Sequence, residues 1–120
     1  MTAIDHMRQH VERLIAELRA TKFTCEDDFH VHWIDDREKA MALSHADLVE
    51  IWIPEIRTPE DYATCLHELG RLCGRYQKSA KVMTRERWAW NWARDYALCW
   101  TAEMKQDIPR DIRRHSLASK

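Results

Sequence analysis

The chain has 120 residues, 45% of them hydrophobic and 32% charged, with a formal net charge of −1. That length suits one domain, the apolar content excludes a disordered chain, and the balanced charge excludes a general polyanion binder. No stretch approaches the ~20 apolar residues that span a bilayer, and Met1–His6 lacks the basic and apolar regions of a leader. A cytoplasmic protein with no membrane partner is expected.

The first segment places Ile4, Met7, Val11, Leu14, Ile15 and Leu18 at three-and-four spacing. Thr2 stands as N-cap with Asp5 three residues on, so the spacing predicts a helix over about 3–20. In Phe29–Ile34 the apolar Phe29, Val31 and Trp33 alternate with His30 and His32, the pattern of a half-buried strand. Two histidines on one strand face suit either a metal or an open polar surface. Residues 36–45 read equally as a short helix or a strand. Asp47–Ile53 is a clearer strand, and Pro54 either ends it or marks it as a sheet edge.

Thr58-Pro59-Glu60-Asp61 is a strong helix start, with a capping threonine, proline at the first helical position and carboxylates in the first turn. A second helix is predicted over about 59–77 and a third from near Thr84 to about Met104. One domain over 1–109 is followed by a basic tail, 110–120, introduced by Pro109. The four cysteines Cys25, Cys65, Cys73 and Cys99 form no C-x-x-C pair, so reduced, small apolar residues are expected rather than a thiolate zinc site.

Both glycines of the protein, Gly70 and Gly74, lie in the second helical segment. A glycine inside a helix costs about 1 kcal/mol relative to alanine, so their side of the helix must be approached closely by another backbone or a ligand. On a wheel of 100° per residue, Tyr62, Cys65, Leu66, Leu69, Leu72, Cys73 and Tyr76 form the core face. Ala63, His67, Gly70, Arg71 and Gly74 lie opposite. The third helix gathers Glu86, Ala89, Trp90, Ala93, Ala97 and Trp100 around a common direction. Packing these small-residue faces together would bring His67, Arg71 and Glu86 into one neighbourhood. Trp88 and Trp92, with Arg85 and Arg87, give the same helix an aromatic and basic surface suited to protein recognition, and also to stacked single-stranded bases.

His67-Glu68-Leu69-Gly70-Arg71 resembles the H-E-x-x-H helix of zinc metallopeptidases. With Ala63–Gly70 and Glu86–Ala93, the chain looks like a small bacterial and phage group related to the ImmA/IrrE metallopeptidases, over about residues 38–104. The resemblance implies an α+β fold, a small zincin-like domain: an N-terminal helix, a short two- or three-stranded sheet, then two packed helices. It implies His67 and Glu86 as zinc ligands and Glu68 as the general base that takes a proton from metal-bound water. It also implies that the strand Leu48, Val49, Glu50, Ile51, Trp52 and Ile53 is an edge on which a peptide lies by strand addition.

Arg71 stands where the second histidine of that motif belongs. A guanidinium has no lone pair to give a metal and keeps its charge. The expectation is therefore that Arg71 takes the cation's place and pairs with Glu86, with no cofactor. The function expected is a degenerate, inactive metallopeptidase-like domain that binds a protein or peptide. A working zinc enzyme would need donors recruited from His30, His32 or Cys99. A third alternative, a nucleic-acid-associated regulator, would rely on the helix-three and tail arginines rather than on net charge.

Overall fold

A computed structural model of the protein describes residues 1–23, 28–45, 47–110 and 112; Cys25, Glu26, Asp27 and most of the expected tail lie outside them. The fold is α+β. Helix α1 spans Ala3–Thr21, and strands β1 (Phe29–Ile34), β2 (Met41–His45) and β3 (Leu48–Pro54) form one sheet. Helices α2 (Pro59–Cys73), α3 (Val82–Tyr96) and α4 (Ala102–Gln106) follow. A short 3₁₀ turn over Arg37–Lys39 precedes β2, so the ambiguous stretch contains both a helical turn and a strand.

Local chemistry starts the two long helices that carry the core. The Thr2 hydroxyl accepts from the Asp5 backbone N–H, and Asp5 returns a bond to the Thr2 backbone. Thr58 and Asp61 repeat this box on α2. Each satisfies N–H groups that a bare helix start would leave open.

The sheet order is β1-β3-β2, with β1 parallel and β2 antiparallel to the middle strand. Here the sequence-based expectation of an edge strand is overturned. Leu48, Val49, Glu50, Ile51, Trp52 and Ile53 form the central strand, with both backbone edges already bonded, so no peptide can add to it. The edge was implied by the resemblance; Pro54, open to two readings, ends the strand, a terminus where a missing N–H costs little. It pairs in register with Ile34 at the very end of β3.

Val49, Ile51 and Ile53 face the core with Phe29 of β1, all under a tenth exposed. Glu50 and Trp52 face the other way, in register with His30 and His32 on β1 and with Leu43 and Met41 on β2. Against the inner face packs α2 through Tyr62, Cys65, Leu66 and Leu69, joined by Met7, Val11 and Ile15 of α1. Cys65 is a free, buried thiol, as are the partly buried Cys73 and the exposed Cys99 free thiols.

Three boundaries differ from expectation. Helix α2 stops at Cys73 with Gly74 as its cap, and Tyr76, assigned to the core face, is exposed with a left-handed φ of 60°. The long third helix breaks at Ala97, whose ψ of 140° turns the chain extended before Thr101 caps α4. No glycine or proline signals that break. It is held by tertiary bonding: the Leu98 backbone N–H donates to the Tyr62 hydroxyl at 2.9 Å. Finally, the core continues beyond Pro109, because Ile112, grouped by sequence with the tail, is buried with Ile108 and Met104. Among the described residues, no helix is long and apolar enough to cross a membrane.

Candidate functional site: a charged quartet between two helices

The two glycines let α2 and α3 meet backbone to backbone. A β-carbon on Gly70 would collide with the Ala89 carbonyl, and one on Gly74 would lie 2.9 Å from the Trp88 carbonyl oxygen. On α3 the facing positions Ala89 and Ala93 are fully buried. The helical cost of glycine is thus offset by an approach that no larger residue permits.

That approach sets Glu86 over one turn of α2. His67 Nε2 lies 2.7 Å from Glu86 Oε2, while Arg71 Nε and Nη2 reach Glu86 Oε1 at 3.0 and 2.9 Å. The guanidinium pairs with Glu86 as expected from sequence, but not as a parallel two-oxygen fork. Two of its nitrogens share one oxygen because His67 holds the other. Arg71 Nη1 turns back along α2 to both Glu68 oxygens, at 3.0 and 3.2 Å. His67 Nδ1 is 3.5 Å from Glu68 Oε2, a charge contact longer than a good hydrogen bond. Glu68 is itself buried, only 2% exposed.

Charge balance explains how these groups tolerate burial. Desolvation works against the His67 cation, but the Glu68 and Glu86 carboxylates outweigh it and raise the pKa above the ordinary histidine value. Burial likewise pushes Glu86 upward, and the His67 and Arg71 charges beside it bring the net shift below the ordinary glutamate range. Both shifts favour the charged His67–Glu86 pair, and the one-third exposed Arg71 guanidinium balances the buried Glu68 carboxylate. The His67 ring is further fixed by stacking on Trp90, with centroids 4.1 Å apart and planes 7° from parallel.

The group does not suit a divalent metal. A zinc–imidazole bond is about 2.0–2.1 Å, whereas His67 Nε2 is committed to a carboxylate and the guanidinium is committed to both carboxylates. A positive group already fills the space between the oxygens, and it repels a second cation. The donors considered as replacements stand elsewhere. His32 is on the outer sheet face, 3.1 Å from Glu50 Oε2 and stacked on Trp52, and His30 shares that face. Cys99 is exposed in the segment after α3. Among the described residues, no three His, Cys, Asp or Glu side chains are grouped to hold a metal ion.

The aromatic surface is a groove rather than a flat patch. Trp88, Trp92 and Tyr96 line a hollow of about 500 Å³ with Cys73, Arg75 and Asn91. Trp92 stacks on Tyr96 at 4.4 Å, and the Arg87 guanidinium lies 5.7 Å from the Trp88 ring centre. Arg85 does not belong to this surface, since its guanidinium donates to the Ser79 carbonyl and braces the loop after α2. Sequence reasoning missed Asn91 because a polar residue between Trp90 and Trp92 reads as solvent-facing, although it is buried. It missed the polar role of Tyr62 too: its hydroxyl lies 2.6 Å from His10 Nδ1, bonding α1 to α2 within the core.

No family model, curated protein or solved structure matches this chain.

Proposed function

We propose that this protein is a metal-free, zincin-like pseudoenzyme that acts by binding, as a protein-binding or regulatory module, and does not hydrolyse peptides. The observation that carries this reading is the position of Arg71. Its guanidinium lies one helical turn after His67, where the H-E-x-x-H motif has its second ligand, and bonds both remaining carboxylates. Catalysis in such a motif needs a metal to acidify water and a free glutamate to take the proton. Here the cation is covalently part of the chain and Glu68 is held in an ion pair, so the same scaffold yields a rigid, charge-neutral core. Surface recognition is supported by the groove walled by Trp88 and Trp92, residues of a type enriched in binding hot spots. Because the resembling group is frequent in phages and prophages, control of a host or phage regulator is the setting this reading suggests.

Peptide hydrolysis in the presence of added zinc tests the proposal. Wild type and Glu68→Gln are expected to be equally inactive. Zinc-dependent cleavage by wild type that Glu68→Gln abolishes would establish a working peptidase instead.

A further inference from the structure

Strand β2 is the antiparallel margin of the sheet, and the order β1-β3-β2 sets no strand against its outer backbone edge. Alternate residues of an edge strand point their N–H and C=O groups away from the neighbour they pair with, so the edge is a template for another chain. Charged residues and proline are the usual means of blunting it. Met41-Ala42-Leu43-Ser44-His45 contains no Lys, Arg, Asp, Glu or Pro. On the outer face its side chains are apolar and open, Met41 being 40% and Leu43 45% exposed, and Met41 lies in register with Trp52.

The charges that flank the two margins of the sheet decide what can pair there. Lys39 precedes β2 and Asp47 follows it, and both are exposed. Two copies of β2, antiparallel about a two-fold axis at Leu43, set Lys39 of each copy opposite Asp47 of the other. The same register puts Leu43 against its own copy on the outer face. On the inner face, which Ala42 and Ser44 share with Ile51 and Val49, the small Ala42 meets the small Ser44 of the second copy. Of the other charges in the turn before β2, Arg37 is paired with Asp61, and Glu38 lies one place beyond Lys39, outside the paired segment. The β1 margin is unsuited to the same pairing. Asp28 precedes it and Asp35 and Asp36 follow it, so a second copy would set acid against acid, and the Arg19 guanidinium already donates to the Phe29 carbonyl at 3.2 Å.

We propose that β2 is a self-association edge: two copies of the chain pair β2 with β2 to form a symmetric dimer with one continuous six-stranded sheet. A two-fold axis makes each contact occur twice and closes the assembly at two copies. The apolar stripe of Met41, Leu43 and Trp52 then runs across the junction on the outer face. The proposal does not rest on the charge quartet and stands whether or not the protein is a peptidase.

Sedimentation velocity of the full chain from micromolar to millimolar concentration tests it. A reversible monomer–dimer equilibrium is expected, with no larger species. Leu43→Lys places two ammonium groups together at the axis and should leave the chain monomeric with its Tm unchanged, because the side chain it replaces is largely exposed. Lys39→Glu or Asp47→Lys alone should raise the dimer Kd about tenfold, two surface pairs being reversed at once. Lys39→Glu with Asp47→Lys in the same chain should restore it, and this exchange decides the matter even if Leu43→Lys does not fold. A monomer throughout the range overturns the proposal. So does a dimer that survives Leu43→Lys, a failure of the two reversals to compensate, or an assembly larger than two.

Discussion

Arg71 and Glu86 face each other across the α2–α3 seam through two guanidinium nitrogens on a single carboxylate oxygen, at 3.0 and 2.9 Å. The second oxygen of Glu86 is held by His67 at 2.7 Å. One carboxylate from α3 thus ties down two side chains of α2, and Arg71 adds Glu68 to the set.

Removing Arg71 is expected to be costly. Arg71→Ala leaves Glu68 and Glu86 buried with only His67 to balance them. Breaking a buried pair costs about 3–5 kcal/mol, and the 34% exposure of the Arg71 side chain lowers the expectation to about 2–3 kcal/mol. Arg71→Lys should recover only part, because an ammonium cannot reach both carboxylates from one planar fork. Urea denaturation of the three proteins reads the difference.

Gly70→Ala tests the backbone contact. Helix propensity alone favours alanine by about 1 kcal/mol. The overlap with the Ala89 carbonyl reverses the sign, since relief requires α3 to move away. A net destabilisation of about 2 kcal/mol or more is expected, within the cost of forced overpacking, and thermal unfolding measures it. A stabilised variant would mean that the helices are not in backbone contact.

Titration of His67 should appear in the pH dependence of stability. Its folded pKa lies above the unfolded value, so its contribution is complete below about 6.5 and is lost as pH rises through the folded pKa. Glu86 acts oppositely: its folded pKa is lowered, so its contribution holds above the unfolded value of about 4.3 and is lost as pH falls through the folded pKa. His10, whose pKa burial lowers, works against His67 by favouring folding as pH rises through the unfolded histidine value. The quartet's share is therefore the difference between wild type and His67→Gln. That difference should be largest between the unfolded glutamate and histidine values and shrink at higher pH. Chemical denaturation from pH 4 to 9 measures it.

Tyr62→Phe removes one hydroxyl with two roles. Burial pushes the Tyr62 pKa up to about 12, so the hydroxyl stays protonated. It is hydrogen-bonded to His10 Nδ1 and accepts the Leu98 N–H that ends α3. The buried His10 ring and the partly buried Leu98 amide lose their partner, at a cost of about 1–3 kcal/mol. Faster hydrogen exchange at the Leu98 amide is the specific signature, which simple loss of packing would not produce.

What could be read from the sequence was what short-range chemistry decides. The Thr2–Asp5 and Thr58–Asp61 caps gave both helix starts, and the cost of glycine in a helix located the α2–α3 contact and so the meeting of His67, Arg71 and Glu86. What could not be read depended on distant partners. Whether β3 lies at an edge is settled by where β1 and β2 pair, and Pro54 is compatible with either answer. The end of α3 is set by a tyrosine from another helix. Glu68 belongs to neither of the two wheel faces drawn for α2, and nothing local shows that Arg71 would neutralise it in the core.

Elemental analysis of protein purified without a histidine tag, beside Arg71→His, bears most directly on the substitution of a side chain for a metal. Wild type is expected to carry no stoichiometric zinc, and Arg71→His to gain about one zinc ion per chain, the number a single restored site would hold. Tightly held zinc in wild type at that ratio would contradict the account.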